Sequence, residues 1–257
     1  VDTVVPNLRE IAPLGFLGVP RILLKMQQSI DYRVQDTTPL QRWVFNRSIA
    51  RGREIARRRL ANGGRFASAG DRIAFGLLYL LCLRSLQKYL GLNRVRTAFC
   101  GGASISEEVL LFFWTLGVPV YQIYGMTETG GYASILRWRD HVFDGPNAHR
   151  IQSCGQPAPG VEVRIVNPDG AEVARGEMGE ITMRSDYLMA GYLGKPVQTQ
   201  AALKGGWMFS GDAGRMDDDG YLYVADRVKD MIVTGGENVF SIEVERALFS
   251  QPAVMQA

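Results

Sequence analysis

The sequence predicts an α/β fold followed by a β-rich stretch, and three observations carry that expectation. The first third is made of long segments with helical apolar spacing and little strand signal. A strand, helix, strand unit then occupies residues 95–124, with a glycine-rich turn after each strand. After Gly155 the texture changes to short alternating runs parted by turn residues, which is the pattern of antiparallel strands.

Taken in order, Phe16 to Val19 reads as a short strand, and Pro20 suits the first turn of a helix through Ile22, Leu23, Met26 and Ile30. Helices are expected at 40–60 and 71–90, on either side of Ala61-Asn62-Gly63-Gly64. The apolar run Ile73 to Leu83 is only about half of the ~20 residues a membrane-spanning helix needs, so it is expected to be a buried helix. Val95 to Phe99 is a strand that ends at Gly101-Gly102-Ala103. Ser104 and Glu107 then have the spacing of a capping box for a helix from Ile105 to Leu116.

The next strand, with Val118, Val120 and Ile123, runs to Tyr124. Further strands are expected at Val161 to Val166 and Gly179 to Arg184, separated in part by the turn Asn167-Pro168-Asp169-Gly170. Asp217-Asp218-Asp219-Gly220 turns a hairpin into Tyr221-Leu222-Tyr223-Val224, and the aspartates are assigned to that turn. Met231 to Val233 forms a last strand, followed by Gly235 and Gly236 and a helix from Ser241 through Phe249.

Composition narrows the function. The 257 residues are 46% hydrophobic and 21% charged, which excludes disordered and fibrous classes. The 29 basic and 26 acidic residues nearly balance at +3, so nucleic acid is not expected as a partner. Arg42, Arg47, Arg51, Arg53, Arg57, Arg58 and Arg59 nevertheless crowd one helical stretch with Trp43, Ile49, Ile55 and Leu60 between them. That stretch, 42–59, is either a peripheral membrane contact or a plain solvated face. Cys82, Cys100 and Cys154 show no pairing pattern, and no signal peptide is visible, which together point to a cytoplasmic setting. His141 and His149 fall in a polar stretch and are expected on a surface loop without a role.

The string Gln122-Ile-Tyr-Gly-Met-Thr-Glu-Thr-Gly-Gly131 is the strongest chemical signal. It sets an aromatic, a glycine, a hydroxyl and a carboxylate at the carboxyl end of an apolar strand, where open α/β sheets bind ligands. Tyr124 offers a face for a base, Gly125 lets the backbone turn, Thr127 offers a hydroxyl to a phosphate oxygen, and Glu128 offers a hard oxygen to Mg²⁺. A glycine turn capped by Thr127 is the plainer alternative.

Further signals follow in a fixed order: Gly206-Trp-Met-Phe-Ser-Gly-Asp212, Asp226-Arg-Val-Lys-Asp230, Gly235-Gly-Glu-Asn238 and Glu243-Val-Glu245. Together with the turn at 101–103 and the 122–131 string, they make the chain resemble the AMP-forming acyl-CoA synthetases of the adenylate-forming superfamily. The start, with Leu8-Arg-Glu-Ile11 and Gly18-Val-Pro-Arg-Ile22, is most similar to the long-chain fatty acid:CoA ligases, although Leu24 stands where those enzymes often have a tryptophan.

The resemblance implies a large α/β AMP-binding domain over 1–228, with a β-rich subdomain at about 155–228, and the start of a small α+β carboxyl-terminal domain at 229–257. It implies that a fatty acid is activated by ATP with Mg²⁺ to an acyl-adenylate and passed to coenzyme A. By the same resemblance Gly101, Gly102 and Ala103 pack against adenine, Tyr124 stacks on it and Gln122 bonds its amino group. Thr127 holds phosphate, Glu128 the metal, Asp212 the ribose hydroxyls, and Arg227 the same nucleotide. Lys229 falls at the hinge, and Gly235 and Gly236 line the pantetheine tunnel. Loading of a carrier protein instead of coenzyme A, and a non-catalytic relative that only binds, are the alternatives.

The family's Ser/Thr/Gly-rich phosphate loop and its carboxyl-terminal lysine have no counterpart in these residues, so the chain reads as a fragment. The 257 residues alone are expected to be unable to adenylate a fatty acid. Incubation with ATP, fatty acid and hydroxylamine should give no acyl-hydroxamate above background, and a clear yield would overturn the expectation.

Overall fold

A computed structural model describes residues 3–227, the strand backbones at 232–234 and 237–239, and Val244. The chain divides into two compact units. One comprises Val1–Tyr124 and Ile135–Gln152, the other Gly125–Ser134 and Ser153 onward.

The first unit holds α1 (Val4–Ile11), β1 (Gly15–Gly18), α2 (Pro20–Gln35), α3 (Pro39–Ala61), α4 (Ala69–Leu78), α5 (Arg84–Leu90), β2 (Thr97–Cys100), α6 (Glu107–Thr115) and the start of β3 (Val120–Met126). The strands β1, β2 and β3 pair in parallel in that order. Parallel neighbours need a crossover, and α6 supplies the one between β2 and β3. Its sequence is apolar on every side, and Val109 through Thr115 are all buried. A helix of that kind belongs inside a core. Leu23, Met26 and Ile30 of α2 and Ala98, Cys100 and Val120 of the strands join Leu110 and Phe113 in one cluster.

Local signals explain the helix starts. Pro39 opens α3 behind Thr38, whose side chain forms a reciprocal capping box with Gln41. At α6 the cap is Ser106, whose hydroxyl accepts from the Val109 N–H at 3.4 Å, and not the expected Ser104. Ile105 and Leu110, at the two positions of a hydrophobic staple, are buried in the same cluster, and that contact moves the start two residues along.

Two expectations are corrected here. The run Ile73 to Leu83 is buried on one side only: α4 continues through a π-turn at Tyr79–Leu83 into α5, Leu83 is buried, and Ile73, Leu77, Leu80 and Leu81 are exposed. This continuous helix, Ala69–Leu90, is long and apolar enough to cross a membrane by length and composition, with a mean hydropathy of 1.2. Its buried side is carried instead by Leu83, Gln87 and Leu90. His141 is not on a surface loop either. It is wholly buried against Trp114 and Tyr121, at ring distances of 5.7 and 6.1 Å; His149 is exposed.

The arginines of α3 are mostly engaged within the unit. Arg58 and Arg51 both approach the buried Asp71 carboxylate, at 2.9 and 3.6 Å. Arg51 also reaches Glu54, Arg53 reaches Glu108 and Arg57 reaches Asp144. Arg59 donates to the Gly64 carbonyl at 2.7 Å. The opposite side of α3 packs Ile49, Ile55, Ala56 and Leu60 into the core. Four of the seven arginines at 42–59, Arg51, Arg53, Arg57 and Arg58, are thus held in ion pairs within the unit.

The second unit is antiparallel. It contains most of β4 (Gly131–Ile135), β5 (Gln156–Pro157), β6 (Glu162–Val166), β7 (Gly179–Arg184), α7 (Pro196–Ala202), β8 (Leu203–Lys204), β9 (Trp207–Met216), β10 (Leu222–Arg227), β11 (Ile232–Thr234) and β12 (Glu237–Val239). One sheet has the order β10-β9-β7-β6 with β8 against β9, and β11 pairs with β12 separately. The hairpin between β9 and β10 turns on Asp217, whose carboxylate accepts from the Tyr221 N–H at 2.8 Å and from the Tyr223 hydroxyl at 3.1 Å. That carboxylate serves the turn, as its sequence context suggests. The expected helix after Ser241 lies outside the described residues, Val244 excepted.

Burial lowers the pKa of His141 to about 4, with the Nδ1–H bond to the Arg137 carbonyl at 2.9 Å opposing that shift only in part. Its Nε2 has no partner among the described residues. The unfolded state thus binds an extra proton between the ordinary value of 6.5 and the folded value, and stability falls as pH drops through that window. Urea unfolding at pH 7.5 and pH 4.5 should show a loss on the order of 2 kcal/mol from this group. In His141→Phe that part of the pH dependence should vanish.

Candidate nucleotide site

The candidate residues divide between the two units. Gly101, Gly102, Ala103, Gln122 and Tyr124 belong to the first, and Gly125, Thr127, Glu128, Asp212 and Arg227 to the second. Lys229, Gly235 and Gly236 lie outside the described residues.

In the first unit, β2 and β3 run in parallel with Cys100 opposite Gln122, so Gly101, Gly102 and Ala103 leave β2 at the edge toward which β3 is heading. Gly101 is half-buried, while Gly102 and Ala103 are exposed. Alternation along β3 puts Val120, Gln122 and Tyr124 on one buried face. The Gln122 amide N–H donates to the Ile151 carbonyl at 2.6 Å, which spends that donor on the fold. Tyr124 is 9% exposed, leaving little of its ring open to a base.

In the second unit, the chain after β3 makes a tight turn. A side chain on Gly125 would place its Cβ 2.1 Å from the Gly131 carbonyl oxygen, so only glycine permits that approach. Thr127–Thr129 then forms one 3-10 turn, closed by the Gly130 N–H bonding to the Thr127 carbonyl at 3.1 Å. Gly130 has φ of 67° and a Cβ there would lie 2.7 Å from the Tyr187 carbonyl oxygen, so it is doubly restricted. Thr129, which sequence reasoning passed over, is buried, and its hydroxyl bonds the Met126 N–H at 3.1 Å and the Gly131 carbonyl at 2.9 Å. The turn is held from within, and it leaves Thr127 exposed and Glu128 half-buried.

Glu128 is held from outside as well. Its backbone carbonyl accepts from the Met189 N–H at 2.8 Å, and its side-chain Oε1 accepts from the Tyr192 hydroxyl at 2.8 Å. Nothing in the local spacing pointed to Tyr192, which lies 64 residues away along the chain. Among the described residues no group of three or more His, Cys, Asp or Glu could hold a metal ion. A cation at Glu128 would have fewer than three such protein ligands among the described residues and would need the rest from substrate and water. That pattern fits Mg²⁺ on a nucleotide and does not fit a structural zinc site.

Asp212 and Arg227 are direct partners across the antiparallel pair β9 and β10. The register shifts between Val224 and Asp226, and such a bulge re-aims the residues beyond it. The Asp212 N–H donates to the Ser210 hydroxyl at 3.0 Å, and Ser210 donates to the Ile181 carbonyl at 2.6 Å, which fixes the backbone before Asp212. A carboxylate and an exposed guanidinium are thus set side by side, a pairing suited to a ligand that carries both hydroxyls and phosphate.

A unit with parallel strands and a unit with antiparallel strands, each carrying candidate ligand-binding residues, make up the α/β architecture of an adenylate-forming enzyme. The chain belongs to the AMP-binding enzyme family, whose sequence profile matches residues 4–193. It is similar to the long-chain-fatty-acid–CoA ligase ACSBG2 of Gallus gallus, 34% identical over 248 residues, covering 96% of this chain and 30% of that protein. It is also similar to the fatty acid–[acyl-carrier-protein] ligase ScoC of Streptomyces coeruleorubidus, 38% identical over 164 residues, 63% of this chain and 31% of that one. Among solved structures, o-succinylbenzoate CoA synthetase (MenE) from Bacillus subtilis with its acyl-adenylate intermediate matches with a TM-score of 0.59 and 30% identity. That match covers 76% of this chain and 40% of the other. The chain therefore spans about a third of the length of the curated relatives it matches.

Replacing Gly125 by Ala should destabilise the second unit, because backbone atoms of 131 and 132 must move to admit the methyl group. A loss of at least about 1–3 kcal/mol is expected in urea unfolding. Thr127→Ser, at an exposed position, should leave the unfolding midpoint unchanged.

Proposed function

We propose that the chain is the nucleotide-binding part of a ligase that activates a fatty acid with ATP and transfers the acyl group to coenzyme A. The observation that carries this is the Thr127-Glu128 turn, an exposed hydroxyl beside a half-buried carboxylate just beyond a parallel strand, in a chain aligned over 96% of its length with a long-chain-fatty-acid–CoA ligase.

In the first step a fatty carboxylate oxygen attacks the α-phosphorus of ATP, the bond to the bridging oxygen breaks, and pyrophosphate leaves. In the second the thiol sulfur of coenzyme A attacks the acyl carbonyl, AMP departs, and the thiol proton is released. Such chemistry depends on positioning and charge neutralisation. Thr127 would donate its hydroxyl to a phosphate oxygen, and Glu128 would hold Mg²⁺, whose charge offsets that of the phosphates when it is bound. Asp212 would accept from the ribose hydroxyls, with Arg227 beside it. Gly101 to Ala103 would border adenine, and Gln122 would meet the adenine amino group through its oxygen, since its nitrogen is committed to Ile151. Tyr124 contributes only what its burial leaves accessible to the base.

Lys229 as a hinge and Gly235 and Gly236 as a pantetheine lining rest on resemblance alone. A cytoplasmic setting agrees with the free thiols Cys82, Cys100 and Cys154. Membrane contact through 42–59 is not part of the proposal, since Arg51, Arg53, Arg57 and Arg58 are engaged in ion pairs within the protein. Transfer to a carrier protein is a second reading, favoured by the similarity to ScoC.

The test is fatty-acid-dependent ATP–pyrophosphate exchange by the full-length protein that carries this chain, run across short to very long acids and followed by thioester detection with coenzyme A or a phosphopantetheinylated carrier. Exchange with aliphatic acids is expected, and Glu128→Gln should lower its kcat/KM by about 100-fold. Absence of exchange with every aliphatic acid would refute the proposal.

A further inference from the structure

The loop between β7 and α7 packs against the turn that carries Glu128. Tyr192 lies in this loop, half-buried, and its phenol donates to Glu128 Oε1 at 2.8 Å. The loop does not reach that position by chance of one rotamer. The Tyr192 N–H donates to the Thr199 hydroxyl at 2.9 Å, and the same hydroxyl donates to the Lys195 carbonyl at 2.9 Å, so α7 pins the backbone on one side. On the other side the Met189 N–H bonds the Glu128 carbonyl at 2.8 Å. Tyr192 also lines a cavity of about 520 Å³ with Glu180, Lys195, Lys204, Ser210 and Gly211. One wall of that cavity is the backbone leading to Asp212, where the Gly211 N–H donates to Glu180 at 2.9 Å.

We infer that Tyr192 is a positioning residue for the metal-binding carboxylate: its hydroxyl occupies Glu128 Oε1 and thereby presents the other oxygen, Oε2, as the ligand for a nucleotide-bound divalent cation. The inference rests on the reading of Glu128 given above. Its physical basis is that a carboxylate on an exposed turn loses rotamer freedom when it binds a metal, and a hydrogen bond made beforehand removes part of that cost. Hydrogen-bonded partners of carboxylate ligands act in this way at metal sites, and their loss weakens metal binding by about 10–100-fold. The bond is directional in the required sense. A phenol hydroxyl donates and an ionised carboxylate only accepts.

The experiment measures Mn²⁺ binding by electron paramagnetic resonance, with the full-length protein and a non-hydrolysable ATP analogue, in wild type, Tyr192→Phe, Glu128→Gln and the double variant. Nucleotide binding without metal is measured in EDTA by calorimetry. Tyr192→Phe should weaken Mn²⁺ binding in the ternary complex by about 10-fold, at the low end for such partners. It should leave metal-free nucleotide binding and the unfolding midpoint unchanged, and it should have no further effect once Glu128 is Gln. Equal Mn²⁺ affinity in wild type and Tyr192→Phe, with Glu128→Gln impaired, overturns this inference while leaving the reading of Glu128 intact. A Tyr192→Phe variant that loses metal-free nucleotide binding or thermal stability to the same extent shows a merely structural tyrosine and also overturns it. Wild-type Mn²⁺ binding indifferent to Glu128→Gln refutes the metal reading and the inference together.

Discussion

The site depends on a backbone contact that leaves no space for a side chain. Gly125 and Gly131 face each other across a turn so tight that a single methyl group on Gly125 would overlap the Gly131 carbonyl. Thr129 bonds both ends of that turn and so restrains the path from strand to strand. Rigidity of this kind is what a short loop needs if it is to hold a hydroxyl and a carboxylate at fixed places without a large supporting structure. The placement of Thr127 and Glu128 follows from the geometry of the glycines around them.

Much of the scaffold was legible in the sequence because it is written in local signals. Pro20 and Pro39 open helices where their fixed backbone angle fits, and apolar runs flanked by glycine give the strand, helix, strand unit around α6. The errors have physical causes. Ser104 and Glu107 imitate a capping box, but burial of Ile105 and Leu110 decided the start of α6. An apolar run does not reveal which of its sides meets the core, so the exposure of Leu77 and Leu81 was hidden. His141 sits among polar neighbours in sequence and among aromatic rings in space.

The site was legible as residue types and not as contacts. Thr127 and Glu128 stand out by position beyond an apolar strand, and Asp212 and Arg227 meet as cross-strand partners, a relation that depends on a bulge no periodicity forecasts. Gln122 shows the opposite limit. Its amide suits adenine chemically, yet the structure commits its nitrogen to the Ile151 carbonyl, a fold contact that sequence spacing does not reveal. Tyr192 could be found only in three dimensions, since the residue it bonds is in a different element.

The lack of a cluster of three or more metal-ligating residues among the described residues bears on how the proposed site would work. A cation held by one carboxylate gains little from the protein alone, because Mg²⁺ gives up water reluctantly and takes an octahedral shell of oxygens. In the proposed site the phosphates would supply much of the coordination, so the metal would bind the nucleotide-loaded protein more tightly than the bare protein. By linkage, each raises the affinity of the other by the same factor. A richer acidic cluster would bind the metal without the nucleotide and would lose that coupling, and it would repel the phosphates whenever the metal was absent. A hydrogen-bonded carboxylate outside any larger acidic cluster among the described residues would avoid both, at the cost of depending on how well its unbonded oxygen is aimed.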